Sequence, residues 1–289
     1  MERMRMMRER TMSQEKLYQQ YASLGRRMTG TTKQHNHDDE WNLVTQEGFW
    51  KLPVTIRYDG LGLTWKEYVI ALEGLTTTYC NQTLYSSLVS HSTAIYFLLT
   101  YGTRQQKTDY LSRIVNGENA SILVNQFSTK TNVPLHVLLA KEKKYPLKQL
   151  ANSKIIILIT DDPHSTEKDD IGFLIMNNDR ELMKNIQAGR YITTSNFLFD
   201  QSEHYKRNLF LPKDRGFKIF FELINFERLL YGIIASVFSE AIIKKSKEAF
   251  QPLLTNPILQ KTYEGIEKNI QTSRTAFYSL LRESKTLPT

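Results

Sequence analysis

Two polar residues close an apolar run. In YGTRQQKTDYLSRIVNGENASILVNQ, Tyr101 to Gln126, a charge-studded stretch ends at Asn116-Gly117 and turns into ASILV, which ends on Asn125-Gln126. Side-chain amides at the end of a strand offer donors and acceptors to a ligand. His91 lies in a nearly all-apolar segment and reads as a hydrogen-bonded core histidine rather than a ligand. HNHDDE, residues 35–40, has a His-x-His spacing that suits a metal. It also stands just ahead of a helix, where acids favour the N-terminus, so it reads as capping and solvation. DDPHSTEKDD, residues 161–170, lacks the ligand spacing of a calcium loop and reads as an exposed turn. GLG at 60–62 is no dinucleotide fingerprint, since no strand precedes it and the third Gly is missing. No metal site is therefore expected.

The elements that must position such residues follow from pattern. SQEKLYQQYASLGRRM reads as a first helix and HDDEWNLVTQEGFWKLPV as a second, with Asp38 as its cap and Pro53 past its end. A Gly-rich turn feeds a helix at Thr64. LYSSLVSHSTAIYFLLTYG is apolar nearly all round, the mark of a buried central helix. Thr103 and Gln106 form a capping-box pair for the next helix, and Gly117 closes it. The period then changes. ASILVNQF, KIIILIT, IGFLIM and a fourth segment, RYITTSNFLF, read as strands. From Arg215 a long apolar helix and then NPILQKTYEGIEKNIQTSRTAFYSLLRES read as a helical hairpin, its break bracketed by Pro252 and Pro257. Helices, strands, then helices describe an α+β, mostly helical fold.

Composition narrows the function classes. A chain of 289 residues, 40% hydrophobic, with 14 Phe and 15 Tyr, can bury a sizeable core. The single cysteine, Cys80, excludes an intrachain disulfide and a thiolate zinc cluster. No secretory leader is read at the start, and no window reaches the length of a membrane span. A cytoplasmic setting is expected. The net charge of +8 is scattered, with KEKK and KKSK as its only short runs, and no nucleic-acid-binding motif accompanies it. Nucleic acid is not the expected partner.

Several words of this sequence, in this order, resemble the acyl-CoA dehydrogenase family. YDGLGLTWKEYVIALEGL resembles the family's Gly-Gly-x-Gly turn and following helix, with Asp59 at the first Gly position. YGTRQQKTDYLSRIVNGE keeps Gly102, Thr103, Gln106, Lys107, Tyr110, Leu111, Gly117 and Glu118 of a family signature. RGFKIFFELINFERLLYGIIASVFSEAI resembles the helix that opens the family's C-terminal bundle, and KEAFQPLL a worn form of its Arg-x-x-Phe-Gly-x-Pro-Leu stretch. The resemblance implies an N-terminal helical domain at 13–118, a reduced middle β domain at 119–212 and a truncated C-terminal bundle, a helical hairpin, at 213–289. Residues 1–12 are read as a flexible arm or an over-called start.

That resemblance also implies chemistry. The family removes the α-proton of an acyl thioester with a carboxylate while a hydride passes to FAD. On the family's pattern, Asn125, Gln126 and Thr131 fall in the flavin-binding segment, and Lys247 stands where an Arg reaches a neighbour's flavin. Glu227 matches the catalytic base of those members that carry it on the first bundle helix, with Arg228 beside the substrate. Burial in so apolar a helix would raise a carboxylate toward working pH, as a general base requires. Several departures oppose full function. Lys130 replaces a Gly that lets backbone approach the ligand. About two dozen residues separate the first two strands, where the family has several strands more. No Trp follows Trp65, and two bundle helices of the family have no counterpart. The expectation is a degenerate dehydrogenase-like protein with weak or no flavin binding, or else a non-catalytic scaffold or partner subunit. Expected partners are acyl-CoA or an acyl-carrier protein, and a like chain in a homo- or hetero-oligomer such as a dimer.

Overall fold

The computed structural model describes residues 2–30, 36–124, 153–161, 171–177, 209–210, 215–251 and 255–283. The chain divides into two compact units, residues 1–85 with 228–289, and residues 86–227.

In the first unit, α1 (Glu2–Gly30) begins at Glu2, so residues 2–12, read from sequence as an arm, are helical. Its buried face, Tyr21, Ala22, Leu24 and Met28, packs on α3 (Trp65–Thr78). The Thr78 hydroxyl donates to the Ala22 carbonyl at 2.9 Å. Between these helices run α2 (His37–Gln46) and two short 3-10 turns. Asn36, not Asp38, caps α2. Its side chain accepts from the Asp39 amide at 2.9 Å, because a cap must precede the first helical residue, and Asp38 already lies in the first turn. An aromatic cluster fills the space beneath. Trp41 stacks on Trp50 at 4.5 Å, and Phe49 meets Tyr21 and Tyr68 at 5.1 and 4.8 Å. Thr64 caps α3 in a full capping box with Glu67.

The same unit holds the C-terminal hairpin: the later part of α6 (Gly216–Ala249) and α7 (Pro257–Glu283). Pro257 takes the first helical position, where its missing N–H is no loss, and Asn256 accepts the Ile258 amide at 2.9 Å. Tyr263, Glu267, Ile270, Arg274, Phe277 and Leu281 repeat at alternating steps of four and three, an antiparallel coiled-coil stripe. Its register is pinned by Ser246 with Tyr263 at 2.5 Å and by Arg274 with Glu240 at 2.6 Å. Gly232 lies under Phe277.

In the second unit, the later part of α4 (Gln82–Tyr101) is followed by α5 (Arg104–Val115), which opens on the expected Thr103–Gln106 capping box. Gly117, at φ 98°, turns the chain into β1 (Ala120–Val124); this left-handed backbone favours glycine. Then come β2 (Ile155–Asp161), β3 (Ile171–Asn177) and the two-residue β4 (Leu209–Phe210). The sheet order is β1-β2-β3-β4, with β1 parallel to β2 and the other pairs antiparallel. Ile155 to Ile159 are all buried, which explains a strand that is apolar without alternation. The predicted strand at RYITTSNFLF lies outside the described residues.

Candidate active site on the first hairpin helix

Helix α6 enters at Gly216 and buries Ile219, Phe220, Leu223, Phe226 and Leu230. Steps of three and four put these on one stripe. Phe226 stacks face to face on Tyr96 of α4, with centroids 4.5 Å apart and planes 12° off parallel. This stack fixes the rotation of α6 just before Glu227. Glu227 is half-buried, and Arg228 is exposed. Glu227 ends the second unit, and Arg228 opens the returning segment of the first.

Sequence reasoning passed over a second carboxylate on the same turns. Glu222 is half-buried, and the Tyr101 hydroxyl donates to its Oε2. Lys218 stands one turn before it at 4.0 Å. Burial pushes the Glu222 carboxyl above its ordinary value. The signal was present in FFELINFER, which carries two acids, Glu222 and Glu227, within one apolar run.

Lys247 sits elsewhere in α6 and is engaged within the hairpin. Its ammonium pairs with Glu267 at 2.6 Å and lies 5.6 Å from the Tyr263 ring centroid. Asn125, Gln126 and Thr131 fall outside the described residues, one to seven positions after the end of β1 at Val124.

His91 is the core histidine the sequence suggested. It is fully buried, and its Nδ1 accepts the Ala120 amide of β1 at 3.0 Å. The Ile114 backbone is its other partner. Burial pushes the imidazole down to about 3, so it is neutral. An acceptor at Nδ1 leaves the proton on Nε2.

Elsewhere, Glu73 of α3 forms a buried centre that sequence reading missed. Arg274 contacts its Oε1 at 3.0 Å, and the Tyr278 hydroxyl donates to Oε2 at 2.7 Å. Burial, and then Glu73, keeps the Tyr278 phenol protonated. Glu40 is a similar buried acceptor, held by Tyr79 and by Asn81 at 2.8 Å to both oxygens. Both are satisfied by their neighbours and act as locks between helices. Among the described residues no cluster of three His, Cys, Asp or Glu could hold a metal ion. None of the described helices is long and apolar enough to cross a membrane.

Comparisons with known proteins agree on the architecture. Residues 4–118 match the family described as acyl-CoA dehydrogenase, N-terminal domain. No curated protein matches. Among solved structures, the prolyl acyl carrier protein oxidase AnaB is 13% identical with a TM-score of 0.68, over 93% of this chain and 79% of that one. Butyryl-CoA dehydrogenase from Megasphaera elsdenii is 13% identical with a TM-score of 0.68, over 94% and 79%. The FAD complex of PigA is 11% identical with a TM-score of 0.68, over 94% and 78%. Identities this low speak to fold alone. Residues 4–118 thus form an acyl-CoA dehydrogenase N-terminal domain, and the chain shares the fold of these dehydrogenases.

Proposed function

We propose that this chain is a degenerate acyl-CoA dehydrogenase-like protein. The family chemistry is flavin-dependent α,β-dehydrogenation of an acyl thioester on CoA or a carrier protein. In this chain, flavin binding is weak or absent. The observation that carries this reading is Lys247. Lys247, which the resemblance puts where an Arg reaches a neighbour's flavin, is paired with Glu267 at 2.6 Å. To reach a pyrophosphate the ammonium would have to leave both the carboxylate and the aromatic face, contacts that at this exposure hold it by about 1 kcal/mol. A Lys there also lacks the planar guanidinium fork by which an Arg meets a pyrophosphate in two hydrogen bonds. Lys130 in place of the close-approach Gly points the same way.

Residual activity would rest on Glu227. A half-buried carboxylate on an apolar helix can take an α-proton, and Arg228 beside it can meet an anionic carrier. FAD, when bound, supplies the hydride acceptor, and Asn125, Gln126 and Thr131 would hold it. The test is the visible absorption spectrum of the purified protein, with and without added FAD. A colourless protein that ignores FAD is expected. A stoichiometric flavin band would refute the degenerate reading.

A second reading, a scaffold or partner subunit in a homo- or hetero-oligomer, is favoured by the hairpin surface. Tyr231, Ile242, Ile258 and Leu280 are 43, 65, 78 and 56% exposed there. So much apolar exposure on two neighbouring helices suits a partner. Light scattering of the purified chain tests it, and a strictly monomeric protein would oppose it.

A further inference from the structure

Among the described residues, the outer edge of β1 meets side chains and no strand. β1 stands at the end of the sheet order among the described residues. Its inner edge pairs with β2: the Asn119 carbonyl accepts the Ile155 amide at 3.2 Å and that of Lys154 at 2.8 Å. Residues 120 and 122 therefore point their amides the other way, because alternate residues of a strand address opposite edges. Both amides meet α4. Ala120 donates to His91 Nδ1 at 3.0 Å, and Ile122 donates to Ser90 Oγ at 3.1 Å. Two adjacent helical residues thus take the places that two backbone carbonyls of a neighbour strand would fill.

We propose that Ser90 and His91 form an edge guard, which keeps β1 from accepting the same strand of a second copy of this chain. The chemistry of β1 makes a guard necessary. ASILV has no charge and no proline and is rich in β-formers, the pattern of a strand that pairs with its own copies when its edge is open. A neutral imidazole is the right acceptor here, since its Nδ1 lone pair is available only while the ring is unprotonated. Ser90 is half-buried and lies at the margin of the contact, and His91 is wholly enclosed. Opening therefore begins at Ile122.

The experiment uses the full chain and Ser90→Ala, which deletes one acceptor and little volume. Amide exchange is read at Ala120 and Ile122. A labelled peptide with the sequence of residues 119–125, NASILVN, probes strand addition by anisotropy. Ile122 is expected to exchange about tenfold faster in the variant, with Ala120 unchanged, as the loss of one hydrogen bond predicts. The peptide is expected to bind the variant and not the wild type, and Ser90→Thr is expected to restore the closed edge. Wild-type exchange at Ile122 in Ser90→Ala would overturn the proposal. So would faster exchange without peptide capture, or equal capture by the wild type.

Discussion

Replacing Glu73 with Gln is expected to loosen α7, and far more than the same change at Glu240. Both carboxylates contact one guanidinium. Glu240 approaches Arg274 more closely, 2.6 Å against 3.0 Å, but its side chain is 50% exposed and that of Glu73 only 6%. Distance alone would rank Glu240 first; solvent reverses the order. An exposed pair contributes about 0–1 kcal/mol. Breaking a buried one costs about 3–5 kcal/mol, because the remaining charge loses its partner in a poor solvent. Arg274 is itself about a quarter exposed and keeps Glu240, so the expected cost of Glu73→Gln falls to roughly 2–3 kcal/mol. Tyr278 adds to it, since its hydroxyl donates to the same carboxylate at 2.7 Å. Two compact units need not unfold together, so exchange at the amides of α7 is a better reporter than a global melt. Urea unfolding followed by that probe should separate the variants clearly. Equal losses, or a larger loss for Glu240→Gln, would refute the argument that burial outweighs distance here.

Other outcomes follow from the same structure. Any fraction of the chain that carries FAD should keep its flavin band in Glu227→Gln but lose bleaching by acyl thioesters, by about 100-fold or more in rate; unchanged bleaching rules Glu227 out as the base. His91 is depressed from 6.5 to about 3, so the unfolded chain takes up its proton first on acidification. Its stability contribution is full above pH 6.5 and is lost as pH falls toward 3. Relative to His91→Gln, the wild type should therefore lose roughly 3 kcal/mol between pH 7 and pH 4 in chemical denaturation. Gly232→Ala places a methyl 2.4 Å from the Phe277 ring, so overpacking of about 1–3 kcal/mol should outweigh a helix-propensity gain of up to about 1 kcal/mol. In a Phe277→Leu background, thermal melts should show the sign reverse.

Local signals were legible wherever one short segment contained the whole cause. The capping box at Thr103 needs only four residues and formed as read, and Thr64, where the helix start was placed, caps α3 in a second one. Gly117 announced its left-handed turn, and the switch from helical to strand patterning after it came from residues adjacent in the chain. The family resemblance was visible for the same reason: its words are contiguous. The cap of α2 failed by two residues, because Asn36 and Asp38 are both good caps and the choice depended on where the helix began.

The candidate site divides along the same line. That Glu227 and Arg228 belong to an apolar helix, and that His91 belongs to the core, followed from sequence alone. That Glu222 takes the Tyr101 hydroxyl, 121 residues away, did not. Nor did the pairing of Lys247 with Glu267, the meeting of Glu73 with Arg274 across 201 residues, or the Ser90–His91 cover on β1. The sequence by itself determined the main helices, three strands and the apolar segments that must be buried, since these depend on period and on neighbours within a few positions. Tertiary structure alone decided which charges neutralise one another and which strand edge stays closed. Those outcomes depend on the packing of distant helices, and a Lys in a sequence carries no record of the carboxylate it will find.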